Sequence, residues 1–215
     1  MEKLHTMNIQ VIQENEDWIA VNKPAGMAVQ NDPNEDFSLL QWVEEYCQTS
    51  LHLINRLDRP VSGVVLFAKK VRAYHNFMNE WANNVQKKYI AVTEGKWKNT
   101  QGLLDNKIIK GRNNKAILSD FGKNALIQYK VLKELDHYTI LEVILITGRF
   151  HQIRLQLSLA GHPVKGDVKY GARRRNQSRH IHLHCYSIQI RDQVKIMAPL
   201  PHEDALWSLV NRLIH

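Results

Sequence analysis

The stretch from Leu51 to Lys70, LHLINRLDRPVSGVVLFAKK, constrains this chain more than any other. An apolar opening gives way to the charged Arg56-Leu57-Asp58-Arg59, and the chain breaks at Pro60. Val64, Val65, Leu66 and Phe67 then run into Lys69-Lys70. This is the pattern of a turn feeding a buried strand. Pro60 removes a backbone donor and disfavours helix at Arg59. Gly63 admits a backbone approach that a Cβ would block. Asp58 is thereby expected on a rigid turn between two arginines, at the mouth of a strand. Neighbouring positive charge favours an ionised carboxylate, and a positioned carboxylate can act as nucleophile or base. Aspartates that merely close turns are also common, so residue chemistry alone leaves a structural role for Asp58 open.

The rest of the composition allows such a strand a proper core. The chain has 215 residues, 44% hydrophobic and 23% charged, which fits one soluble globular domain. Lys plus Arg number 29 against 21 Asp plus Glu, a formal net charge of +8. That excess points to a polyanionic partner such as nucleic acid. Two cysteines, Cys47 and Cys185, make no disulfide framework and suit a reducing compartment. Met1–Gln10 lack the apolar stretch of a signal peptide. The longest apolar run, Tyr138–Thr147, carries Glu142 and is too short to span a membrane. A cytoplasmic location, no membrane association and a monomeric state are the expectations. No internal repeat or low-complexity segment is present.

Along the chain, Asn8–Ile12 and Trp18–Asn22 are expected as strands around a polar turn. Ser38 with Gln41 three residues on makes a capping box, and Leu39, Leu40, Val43, Tyr46 and Cys47 form the apolar face of the helix that follows. Val71, Tyr74, Met78, Trp81 and Val85 recur at helical spacing. Lys87–Glu94 reads as a strand ending at Gly95. Lys96–Gly122 is polar and resists assignment, with a strand at Lys115–Ser119. Ala125–Leu132 and Tyr138–Ile146 suggest an antiparallel pair. A helix is expected from Phe150 to Ala160, stopped by Gly161. His180–Ile190 and Val194–Ala198 are two further strands, and Leu206, Leu209, Val210 and Leu213 mark a closing helix. Strand runs with a few helices and no strict βαβ alternation indicate α+β with a largely antiparallel sheet.

Two stretches carry further chemistry of their own. Arg149 and Arg154 flank a helix start, a place suited to phosphate or carboxylate. His180, His182 and His184 alternate, so on a strand they share a face that could take zinc. No acidic ligand lies near them in sequence, and the reading assigns no metal. The segment Lys165–Arg179 holds Lys165, Lys169, Arg173, Arg174, Arg175 and Arg179 against the single acid Asp167. Arg173, Arg174 and Arg175 are expected to grip a phosphate backbone.

The central stretch resembles the signature of the RluA-type pseudouridine synthases, H-R-L-D-x-x-T-S-G-V-L-L-F-A-K. Arg56-Leu57-Asp58, Ser62-Gly63-Val64 and Leu66-Phe67-Ala68-Lys69 match, while Asn55 replaces the usual His and Val61 the usual Thr. Lys23-Pro24-Ala25-Gly26, after Asn22, is similar to the family's N-K-P-x-G. Val85 to Gly95 is similar to V-x-K-x-Y-x-A-x-V-x-G, with Thr93 at a frequent valine. Thr147 to Arg154 resembles T-G-R-T/S-H-Q-I/L-R, with Phe150 at the small hydroxyl position. Leu159–Asp167 and Lys169–Ala172 follow family usage too, so the resemblance runs from about Ile19 to Pro199.

The resemblance implies a curved mixed sheet with flanking helices and a central catalytic cleft, in one catalytic domain over residues 1–215 without an added N-terminal RNA-binding domain. It implies an RNA uridine isomerase acting on ribosomal or transfer RNA. Asp58 would be the nucleophile or base, Arg56 would fill the space of a flipped base, Tyr89 would lie against the target uracil, and Arg154 would pair with Asp58. No redox change occurs in such an isomerisation, so no cofactor is expected. Two other classes are weighed beside it: an RNA-binding or assembly module of the same fold without turnover, and a metal-dependent enzyme built on the histidines.

Overall fold

The structure is a computed structural model and describes residues 9–31, 37–81, 84–176, 180–190, 194–202 and 204–214. Its contacts divide into two compact units: Met1–Val85 with Cys185–Leu200, and Gln86–His184 with Pro201–His215.

In the first unit the apolar run of the central stretch is a strand, β4, flanked by β2 and β3. β1 (Gln10–Glu14) and β2 (Trp18–Lys23) precede helix α1 (Leu39–Cys47) and the short β3 (His52–Leu53). β4 spans Ser62–Ala68, and all of its residues are buried. β2 pairs with it antiparallel, Ile19 opposite Phe67 and Val21 opposite Val65. β1 extends β2 and β3 pairs with β4, both antiparallel. Helix α2 (Val71–Trp81) closes this segment. The capping box forms as expected, with the Ser38 hydroxyl and the Gln41 side chain exchanging bonds with each other's backbone. The expected stripe from Val71 to Val85 is shorter than its spacing implies. Val71 is exposed, Val85 already opens the next strand, and the Trp81 side chain lies outside the described residues. Phe77 meets Trp18 edge-on at 6.2 Å, which attaches the helix to β2. Asn8, expected in the first strand, also lies outside the described residues.

In the second unit, β5 (Val85–Glu94), β6 (Gln101–Lys110), β7 (Ala116–Leu118), β8 (Lys123–Glu134) and β9 (Tyr138–Leu145) stand in the order β5-β9-β8-β6-β7. Every neighbouring pair among them is antiparallel. The stretch that resisted assignment is therefore a long strand and a hairpin. Its pattern is weak because β6 has one face open to solvent, so polar residues occupy positions that a buried strand fills with Val or Ile.

Helix α3 spans Gln152–Leu159. It begins two residues later than expected because His151 takes a left-handed conformation, φ 50°, and acts as the N-cap residue. Strand β10 (Leu183–Ile190) starts three residues later than expected, so His180 and His182 precede it. It pairs antiparallel with β11 (Val194–Met197), and α4 (Ala205–Ile214) ends the described chain. The fold is α+β with a mostly antiparallel sheet. Among the described residues, no helix is long and apolar enough to cross a membrane.

Gly63 sets the closeness of β4 to β10. Its φ is +118°, and a Cβ there would sit 2.3 Å from the Cys185 carbonyl oxygen. Backbone cannot yield as a side-chain tip can. Gly63→Ala is expected to destabilise the protein by roughly 2–4 kcal/mol, from backbone strain and overpacking together. Urea unfolding measures this, and a midpoint equal to wild type would contradict the close approach.

Candidate active site

The turn that carries Asp58 is held from three sides within the first unit. The Val61 amide donates to the Asp58 carbonyl at 3.0 Å, closing the turn through Arg59 and Pro60. Arg59 reaches back to the loop after β2. Its Nε donates to the Gly26 carbonyl at 2.9 Å, and the Gly26 amide donates to the Arg59 carbonyl at 2.7 Å. Lys23 completes the knot. It is fully buried, and its ammonium donates to the carbonyls of Pro24 (2.9 Å), Met27 (2.8 Å) and Arg59 (3.2 Å). An ammonium carries three protons, and three carbonyl acceptors offset much of what burying it costs. Residue reasoning missed Lys23 and Gly26 as parts of the site. Their signal was present in the N-K-P-x-G resemblance.

Asn55 sits at the family's histidine position and clamps the chain to β4. Its Nδ2 donates to the Val64 carbonyl at 3.1 Å, and its Oδ1 accepts from the Leu66 amide at 2.8 Å. The side chain thus copies one rung of a strand ladder. Val61, at the usual threonine, is buried. Asp58 itself is half-buried, while Arg56 and Arg59 are exposed. Arg56 Nη1 donates to Gln30 Oε1 at 3.4 Å.

In the second unit, Tyr89 is buried on β5 opposite Val143 of β9. Arg154 and Asp167 are both buried and form a fork, Nε to Oδ2 at 2.7 Å and Nη2 to Oδ1 at 2.9 Å. Such bidentate pairs are among the strongest charge-assisted bonds. The Arg154 guanidinium also lies 5.0 Å from the Tyr170 ring centre. Arg149 is exposed and bonded through Nε to the Asn124 carbonyl at 3.0 Å. Asp167, the single acid of the basic segment, is buried and engaged by Arg154.

Tyr170 joins these parts. Its hydroxyl accepts from the Ala116 amide at 2.7 Å and lies 2.8 Å from His151 Nδ1, where a neutral imidazole accepts from it. Burial, with Arg154 adding to it, pushes the His151 pKa down to about 3, so the ring is neutral near pH 7. Phe150, which departs from the family's small hydroxyl residue, stacks on His151 with ring centres 3.9 Å apart. The Lys110 ammonium lies 5.1 Å from the Phe150 ring centre.

Arg173, Arg174 and Arg175 are all exposed, on a segment pinned at its ends. The Arg173 amide donates to Glu94 Oε1 at 3.1 Å. Asn176 accepts from the Lys165 ammonium at 2.9 Å, donates to the His180 carbonyl at 2.9 Å, and lies 3.1 Å from His182 Nδ1. Arg179 lies outside the described residues.

Of the three alternating histidines, only His184 lies on β10. The acid absent from their neighbourhood in sequence arrives from the chain's end: ligand atoms of His180, His182 and Asp204 lie within 4.8 Å of one another. His182 Nε2 is 2.8 Å from Asp204 Oδ2, and its ring stacks on Trp207. Asp204 Oδ1 in turn accepts from the Leu206 and Trp207 amides at the start of α4. Both His182 nitrogens are thus engaged within the protein, and a metal ion there would have to displace the Asp204 contact. The arrangement is a clamp between α4 and the segment before β10.

Burial lowers the His182 pKa to about 4, the Lys165 charge adding to the effect and Asp204 opposing it. An unfolded imidazole titrates near 6.5, so below that pH the unfolded chain takes up a proton that the folded one refuses. Stability is therefore full above about pH 6.5 and falls as pH drops toward 4, with His151 extending the loss toward 3. In His182→Gln, the urea midpoint is expected to fall less steeply than in wild type between pH 6.5 and 4. Parallel curves would show that His182 does not titrate this way.

The chain is similar to known proteins in sequence and in fold. A family model described as RNA pseudouridylate synthase matches residues 17–159, more than half of the chain. YlyB of Bacillus subtilis, named as an uncharacterized RNA pseudouridine synthase, is 32% identical, covering 93% of this chain and 71% of its own length. Proteins named ribosomal large subunit pseudouridine synthase C are similar as well. That of Rickettsia conorii is 34% identical over 89% of this chain and 68% of its own. That of Vibrio vulnificus is 30% identical over 81% of this chain, and the match covers only 56% of its own length. Among solved structures, human RNA pseudouridylate synthase domain containing 4 superposes with a TM-score of 0.77 at 22% identity, covering 94% of this chain and 92% of its own, a likeness of fold.

Proposed function

The chain belongs to the RNA pseudouridylate synthase family, whose members isomerise uridine in RNA, and on that premise we propose that Asp58 is its catalytic carboxylate and large-subunit ribosomal RNA its substrate. One observation carries the assignment of Asp58. The Arg56–Pro60 turn lies within the residues matched by the family model and is immobilised by Lys23, Arg59 and Asn55. A backbone held so firmly beside a carboxylate adds little reorganisation when that carboxylate reacts. The large-subunit substrate is supported by the names of the Rickettsia and Vibrio relatives. Transfer RNA is the other outcome to be tested.

In the reaction, the bond from ribose to the base nitrogen breaks, the uracil turns, and a carbon–carbon glycosidic bond forms in its place. Atoms and electrons balance within the nucleotide, so no external oxidant or reductant enters. Asp58 attacks the sugar or removes a ribose proton to give a glycal. The target uridine must first leave its stack. Arg56, exposed two residues before Asp58, is assigned to the vacated space. Tyr89 is assigned to the uracil and Arg154 to Asp58, both from the motifs they match. Arg173, Arg174 and Arg175 are assigned to phosphates, supported by their exposure, and Arg149 to the substrate by motif. The reading includes a cytoplasmic, monomeric enzyme. Asn55, Val61 and Phe150, the departures from the family signatures, each have a structural role here: clamping β4, filling the core, and stacking on His151.

Asp58→Asn keeps the side chain's size and removes the nucleophile or base. It is expected to abolish pseudouridine formation on transcribed large-subunit ribosomal RNA while binding that RNA as wild type does. Turnover by the purified variant would refute the assignment of Asp58. If wild type left this RNA unmodified but acted on transfer RNA, the substrate assignment would fall and Asp58 would stand.

Changing Arg173, Arg174 and Arg175 together to Ser is expected to weaken RNA binding with little regard to sequence. The plot of log affinity against log salt should become shallower by about 0.7 per lost contact on single strands, roughly two units for three. The rate at saturating RNA should change far less. An unchanged slope would assign these arginines to solvation alone.

A further inference from the structure

The segment that carries Arg173, Arg174 and Arg175 is exposed along its length and fixed at both ends. At its start, the Arg173 amide donates to the two carboxylate oxygens of Glu94, at 3.1 Å and 3.3 Å. Glu94 ends β5, and that end of the strand is stitched to the loop after α3. The Glu94 amide donates to the Pro163 carbonyl and the Lys165 amide to the Val92 carbonyl, both at 2.9 Å. At the far end of the segment stands Asn176. It is only half-buried, yet both donors and the oxygen of its amide are engaged.

The direction of each of these bonds follows from chemistry. An ammonium donates and cannot accept, so the 2.9 Å contact from Lys165 Nζ places the Asn176 oxygen on that side. A carbonyl accepts and cannot donate, so the amide nitrogen faces His180, at 2.9 Å. The second N–H of that nitrogen donates to His182 Nδ1 at 3.1 Å. The imidazole proton then lies on Nε2, aimed at Asp204 Oδ2 2.8 Å away. Polarity thus runs one way, from the Lys165 cation through Asn176 and His182 to the carboxylate just before α4, and bonds in such a series strengthen one another. Packing adds to it. Gly166 has a φ of +89°, and a Cβ there would lie 2.8 Å from Asn176 Cγ. Asn176 is therefore held by a lysine, a histidine and close backbone at once, and no motif in the sequence marks it.

We propose that Asn176 is a positioning residue for RNA binding, which holds the Arg173–Arg175 segment in its binding shape before RNA arrives. The inference rests on the reading of those arginines as phosphate contacts and adds the residue that makes them a preformed grip. A loose run of arginines loses backbone and side-chain freedom when it binds, and that loss is subtracted from affinity. A run pinned by Glu94 and Asn176 has lost it already. Asn176 itself need touch no phosphate.

The test uses the full chain and a fluorescein-labelled single-stranded RNA of roughly 12 nucleotides. Asn176→Ala is expected to weaken binding about fivefold to thirtyfold, the cost of ordering the backbone of one residue. The plot of log affinity against log salt should keep its slope, because no phosphate contact is removed. In a chain with Arg173, Arg174 and Arg175 already changed to Ser, the same substitution should cost less than about twofold, because Asn176 acts through those arginines. A general loss of fold would weaken both backgrounds alike. Trypsin, which cuts after arginine, should cleave Asn176→Ala within this segment about tenfold faster than wild type, as a freed segment opens more often.

Wild-type affinity in Asn176→Ala would overturn the proposal, as would a shallower salt slope, an equal loss in the two backgrounds or an unchanged rate of cleavage. If the triple Ser variant kept the wild-type salt slope, the phosphate reading of the arginines would fall and this inference with it. If only Asn176→Ala failed to behave as expected, that reading would stand. A wild type that grips the oligonucleotide in this way but modifies no RNA would refute the proposed isomerase and leave the role of Asn176 intact.

Discussion

A fully buried ammonium holds the turn that carries Asp58 in place. Lys23 has no water to solvate it, so the chain must bring carbonyls to it. Two come from the loop immediately after β2, and the third comes from Arg59, beside Asp58. One charge thereby closes a loop of 36 residues in sequence and fixes the backbone next to Asp58. The paired bonds between Arg59 and Gly26 make the same connection from the other side. Neither tie involves the Asp58 side chain; both act on the backbone beside it.

The second unit solves a similar problem with an ion pair. Arg154 and Asp167 are costly to bury singly and stable as a fork. Tyr170 stacks against the arginine, bonds to β7 and meets His151, so one ring links helix, hairpin and loop. The left-handed His151 is the hinge of this arrangement. A neutral imidazole there accepts from Tyr170, and burial keeps it neutral.

Much of this was legible from residues alone where a pattern has one meaning. A continuous apolar run between turn signals has to be buried, and β4 is. Ser38 with Gln41 has to cap a helix, and it does. Legibility failed where two demands compete for one residue. β6 alternates weakly because its outer face is open, so a ten-residue strand resisted assignment. Asp167 was read only as the single acid of a basic segment, because nothing local reveals a partner 13 residues away. His180 and His182 looked like strand residues, yet the strand begins only at Leu183. Asp204 could not be paired with His182 from spacing, since tertiary folding alone brings the two together. Lys23 was visible as part of a motif, but its burial was not.

Asn55 has a consequence for the chemistry of the turn. The family resemblance puts a histidine at this position, and a histidine changes its donor and acceptor pattern when it takes up a proton near neutrality. An amide does not. Its oxygen accepts from Leu66 and its nitrogen donates to Val64 at every pH the protein survives. The anchor three residues ahead of Asp58 is therefore blind to protons, and acidity reaches the reaction through other groups than this one.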